Sequence, residues 1–169
     1  MKYNNILHIT DDCLYLKSKK QKDIIKYKLS NNIVYGGRIS NIKKFMKSFE
    51  KLLSENHLKV VVASNYTPAD ITFLKNIINS FNYRKIIIEK ELKYYKLNNN
   101  IAYINVFDDY FNITYLDEYK KINNIYMETQ GFLKTDDILE YLSYSLNRKE
   151  VYLLGSGELI KEIFSKLED

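Results

Sequence analysis

Tryptophan is absent from the 169 residues, cysteine and proline occur once each, and there are five glycines and two histidines. The lone Cys13 cannot form an internal disulfide, which excludes a disulfide scaffold and fits a reducing, cytoplasmic setting. So little proline and glycine leaves no composition for a flexible linker. No apolar run approaches the roughly 20 residues of a membrane span, so direct membrane insertion is not expected. Met1, Lys2, Tyr3, Asn4 and Asn5 lack the apolar stretch of a signal peptide. His8, His57 and one cysteine offer little for a metal cluster or a Cys–His dyad, and no metal ligand is assigned. Of 26 basic residues only Arg38, Arg84 and Arg148 are arginines, the residue that reads bases and phosphates bidentately. The tyrosines fall at periodic, core-like positions rather than among basic residues, so a nucleic-acid partner is not expected.

What the chain does have is apolar and aromatic material. Hydrophobic residues make up 46%, with 16 Tyr and 8 Phe, enough for a core and too many for a disordered chain. Charge is divided. Residues 1–100 carry 19 Lys/Arg against 8 Asp/Glu, a net +11; residues 101–169 carry 7 against 13, a net −6. A Lys-, Asn-, Ile- and Tyr-rich composition is one source of this split; a basic face meeting an acidic partner, or the acidic half of another copy, is the other.

The chain also repeats itself in pattern. Residues 6–16, ILHITDDCLYL, are echoed by residues 103–116, YINVFDDYFNITYL: an apolar strand, a turn with two aspartates, a second strand. Further strands are expected at Ile24–Leu29, Lys59–Ala63, Arg84–Glu89, Ile122–Met127 and Val151–Leu154. Ser40 or Asn41 caps a helix through Leu53, with Ile42, Phe45, Met46, Phe49, Leu52 and Leu53 on its apolar side. Thr67-Pro68-Ala69-Asp70 carries an N-cap, a first-turn proline and the acidic member of a capping box, opening a helix to about Phe81. Glu91–Leu97 reads as a short helix. Thr135 caps a helix to Leu146 and Glu158–Leu167 forms the last one. Hairpins followed by strand–helix–strand units imply mixed sheets with helices on their faces.

In this order the chain resembles the actin-like ATPase superfamily: actin, the bacterial actins, Hsp70, sugar kinases, and the actin-like assembly proteins of type IV pili and cell division. Residues 33–40, IVYGGRIS, look like the segment before the first helix of the pilus and division members. Val60 to Pro68 is similar to their valine-rich strand and helix-opening proline. Residues 87–92, IIEKEL, resemble their acidic turn before the inter-lobe helix. Val151 to Gly157 resembles the adenosine-loop strand with its glycine turn. The resemblance implies an α/β fold of two ribonuclease H-like lobes, residues 1–97 and 98–169. The short spans Lys28–Asn41 and Glu128–Lys134 leave no room for the outer subdomains. It also implies ATP with Mg²⁺ as the ligand. If nucleotide is bound, Gly155, Ser156 and Gly157 with Asp11 and Asp109 are the candidate residues. The family's Asp-x-Gly sites, however, read His8-Ile9-Thr10 and Asn105-Val106-Phe107 here. Both metal-orienting aspartates and both glycines are replaced, and Phe107 takes the place of a phosphate cradle.

The expectation is therefore a non-hydrolysing interaction or scaffold module of a cytoplasmic or membrane-associated assembly, with a protein partner or self-association, no catalytic residue and no cofactor. The alternative is an ATP-binding protein with weak turnover. A ribonuclease H-like nuclease needs Asp11, Asp12, Asp108 and Asp109 to converge on two metals. A dinucleotide fingerprint at Gly155-Ser156-Gly157 fails because Ile160 holds the third glycine position. His8 reads as a satisfied core or cleft histidine, and the Lys17–Lys22 run as a solvated hairpin turn.

Overall fold

A computed structural model of the chain describes residues 5–20, 23–35, 38–50, 57–81, 83–106, 110–128, 137, 140 and 150–154. They divide into two compact units with the boundary between Lys93 and Tyr94.

The first unit is built on β1 (Asn5–Ile9), β2 (Cys13–Ser18), β3 (Ile25–Lys28), β6 (His57–Val62) and β7 (Lys85–Lys90), in the spatial order β3-β2-β1-β6-β7. β1 to β3 are antiparallel neighbours, and β6 and β7 run parallel to β1. Parallel neighbours need a crossover. α2 (Pro68–Asn79) supplies the one between β6 and β7, and α1 (Ile42–Glu50) precedes β6. Val60, Val61 and Val62 are all 0% exposed, so β6 is covered on both faces, which is why it reads as a continuous apolar run. β7 is an edge strand and only half-buried, a milder burial than its three consecutive isoleucines imply.

Local chemistry explains both helices. Asn41 Oδ1 accepts from Lys44 N at 3.1 Å, making Asn41 rather than Ser40 the α1 cap. Phe45 and Phe49 turn inward and stack at 5.9 Å, and Phe49 packs 5.0 Å from Phe81. Ile42, expected on the apolar side, is 41% exposed because it sits in the first turn, before the helix reaches the core. The capping box of α2 is complete. Thr67 Oγ1 accepts from Asp70 N at 3.2 Å, and Asp70 Oδ2 accepts from Thr67 N at 2.8 Å. Leu74, Ile77 and Ile78 are buried. A small hairpin of β4 (Val34–Tyr35) and β5 (Arg38–Ile39) occupies a stretch where no strand is expected from the sequence. Glu91–Tyr94 is a single 3₁₀ turn, shorter than the expected helix.

The second unit holds β8 (Ile101–Val106), β9 (Tyr110–Leu116), β10 (Ile122–Glu128) and β11 (Glu150–Leu154), ordered β10-β9-β8-β11. The first three are antiparallel and β11 runs parallel to β8. This is the arrangement of β3-β2-β1-β6 in the first unit. The hairpins also agree in register. Ile9↔Leu14 closes one and Val106↔Phe111 the other, each with four residues between. Asp137 and Glu140 are helical. The rest of the expected helix from Thr135 to Leu146, the glycine turn and the final helix lie outside the described residues.

Candidate functional site

Three parallel strands end side by side in the first unit, and the outside of such carboxyl ends is where α/β sheets bind ligands. β1 runs into the Thr10–Cys13 turn, β6 into Ala63–Thr67, and β7 into Glu91. The polar groups of the candidate site come from these three segments.

His8, next to last in β1, is 0% exposed and faces Tyr15 across β2, with ring centroids 6.2 Å apart. Its Nε2 lies 2.7 Å from Glu91 Oε1, and Glu91 is itself 1% exposed. Nδ1 is buried with no hydrogen-bond partner among the described residues. His8 is thus a core histidine tied to an acid 83 residues away, a pairing that no local pattern signals.

The aspartate turn is closed on itself. Thr10 N donates to Cys13 O at 3.0 Å, and Cys13 N donates to Thr10 Oγ1 at 3.1 Å. The Thr10 hydroxyl has Asp12 Oδ1 at 2.7 Å and Cys13 O at 2.9 Å for its single proton. Asp12 O accepts from Leu29 N at 2.7 Å. Thr10 thus has its side chain bonded within the turn, to Asp12 and Cys13. The half-buried carboxylates of Asp11 and Asp12 add negative charge beside it. Burial pushes the Cys13 thiol up, so it is no ready nucleophile.

Beyond β6, the chain folds back through Tyr66 N to Ala63 O at 3.3 Å, burying Tyr66 to 2% exposure. Burial first, and then the charges of Asp11, Asp70 and Glu91, push its phenol well above the usual range and keep it neutral. Neither its hydroxyl nor that of Ser64 has a hydrogen-bond partner among the described residues. At the rim, Arg38 Nε lies 3.4 Å from Asp70 Oδ2. No group of three His, Cys, Asp or Glu among the described residues is placed to hold a metal. Of the nucleotide candidates, the structure places Asp11 in the closed turn; Asp109, Gly155, Ser156 and Gly157 lie outside the described residues, as do Phe107 and Asp108.

The second unit carries buried polar residues on β9, the counterpart of β2. Asn112 and Thr114 are each 1% exposed, and Asn124 Nδ2 donates to Thr114 Oγ1 at 3.0 Å. Tyr103 stacks on Tyr95 at 4.8 Å and accepts from Lys96 N.

Against known proteins, the likeness is one of fold. The crystal structure of MreB5 of Spiroplasma citri bound to ADP aligns with a TM-score of 0.52 and 13% identity, over 85% of this chain and 58% of that one. The structure of MreB 5 of Spiroplasma citri bound to AMPPNP aligns with a TM-score of 0.52 and 13% identity, over 87% and 59%. The likeness supports an actin-like fold, and the chain spans less than two thirds of the length of those proteins. No family model and no curated protein sequence matches this chain. Among the described residues no helix is long and apolar enough to cross a membrane.

Proposed function

We propose that this chain is a reduced, non-hydrolysing actin-like module that works by binding protein in a cytoplasmic or membrane-associated assembly of the pilus, secretion or division type. In this reading residues 1–97 and 98–169 are two ribonuclease H-like lobes without outer subdomains. The shared strand order β3-β2-β1-β6 and β10-β9-β8-β11 supports the repeat. The observation that carries the loss of catalysis is the buried His8–Glu91 couple. It stands where the resemblance puts a metal-orienting aspartate, next to a turn whose threonine uses the turn's own polar groups.

The test is steady-state phosphate release with ATP–Mg²⁺. The expected result is background release. Release that disappears in Asp11→Asn would sink the reading. A second reading, ATP binding with weak or no turnover, draws on the ADP and AMPPNP bound to the MreB5 structures. A ligand that binds only the folded state raises its melting temperature. A rise with ATP–Mg²⁺ selects the second reading, and no rise at millimolar nucleotide selects the first.

A further inference from the structure

Among the described residues β10 is an edge strand, bonded to β9 on one side only. Soluble proteins blunt such edges with charge, proline or brevity, because a bare edge accepts another strand. β3 follows the rule with exposed Lys26 and Lys28, and β7 with Lys85, Glu89 and Lys90. β10 does not. It is seven residues long, and its one charge is Glu128 at the end. Ile122 is 50% and Ile125 37% exposed, and Tyr119 in the preceding turn is 75% exposed.

The edge is also held in shape. Asp117 Oδ1 accepts from Tyr119 N at 2.9 Å and Lys121 N at 2.8 Å, and Asp117 N donates to Lys121 O at 2.9 Å. Asn123 Nδ2 donates to Asp117 Oδ2 at 3.1 Å, and Lys120 sits at a positive φ of 59° within this turn. A preformed strand loses less entropy when it gains a neighbour.

We propose that β10 pairs antiparallel with β10 of a second copy, joining two four-stranded sheets edge to edge. Charge selects this occupant. The edge has Lys120 and Lys121 at one end, Glu128 at the other and an uncharged middle. A foreign strand of one sign meets a like charge at one end. An antiparallel copy with Lys120 opposite Glu128 at both ends sets Ile122 opposite Tyr126 and Ile125 opposite Asn123. The contact is isologous and closes as a dimer, because pairing uses up both edges. One strand pair is a small interface, so the dimer is weak and depends on concentration.

The proposal rests on the interaction-module reading only in taking a protein as the ligand. Sedimentation velocity of the full chain over a range of concentrations tests it. The expected result is a reversible monomer–dimer equilibrium. Ile125→Lys and Glu128→Lys should each weaken it about tenfold or more, with melting temperatures near that of the parent. Adding Lys120→Glu to Glu128→Lys should restore it. A parent that stays monomeric throughout, single variants that dimerise as well as the parent, or a double variant that does not recover would each overturn the pairing. Dimers together with ATP turnover would keep this proposal and remove the reading above. Monomers without turnover would do the reverse.

Discussion

His8 and Glu91 lie inside the protein with one short hydrogen bond between them. Removing one partner strands the other away from water. Glu91→Ala is expected to cost about 3 kcal/mol, read from the urea midpoint. The double change His8→Leu with Glu91→Leu should cost less than the two single changes added together, because the two residues share this contact. Asp70 makes a different prediction. The Thr67 backbone N–H holds its carboxyl below the usual value in the folded chain, with the Thr67 hydroxyl and Arg38 assisting. A carboxyl depressed on folding adds stability above its unfolded pKa of about 3.9, and loses it as pH falls through the folded value. Urea midpoints measured from about pH 5 downward should fall less steeply in Asp70→Asn than in the parent. Equal slopes would show that the cap does not titrate this way. The Thr67–Asp70 box was visible in the sequence because its groups are three residues apart. The His8–Glu91 couple was not, because its two ends come together only through sheet pairing. The burial of Tyr66 was missed for the same reason, as it follows from a turn at the end of β6.

Apart from β4 and β5, strands and helices within the described residues fall within a few residues of where periodicity and caps put them, since both signals are local. Burial is less local. Ile87 lies in a run that looks like a central strand, yet β7 is an edge and Ile87 only half-buried. Leu58, on the interior strand β6, is 1% exposed. Leu58→Ala should therefore cost about 2–5 kcal/mol, and Ile87→Ala less than that range, since its site can relax toward solvent. Reversal of that order in urea unfolding would contradict the sheet order. Thr67→Ala should cost about 1 kcal/mol by uncapping α2. The β4–β5 hairpin escaped sequence reading because two-residue strands carry no period to detect.

At the scale of the whole chain, the proposed self-association has two candidate contacts. Residues 1–100 carry +11 and residues 101–169 carry −6, which favours stacking of opposite halves. The exposed apolar edge of β10 favours strand pairing instead. Salt separates them, because the screening length falls from about 10 Å at 0.1 M to about 3 Å at 1 M. Stacking driven by separated charges should disappear over that range. Pairing through backbone hydrogen bonds and isoleucines should lose only the contribution of the lysines beside Glu128. Sedimentation at both salt concentrations, with and without Ile125→Lys, gives four profiles. Association that persists at 1 M salt and is lost in Ile125→Lys is the expected outcome. Association that vanishes at 1 M salt and survives the substitution would transfer the contact from the strand edge to the charged halves.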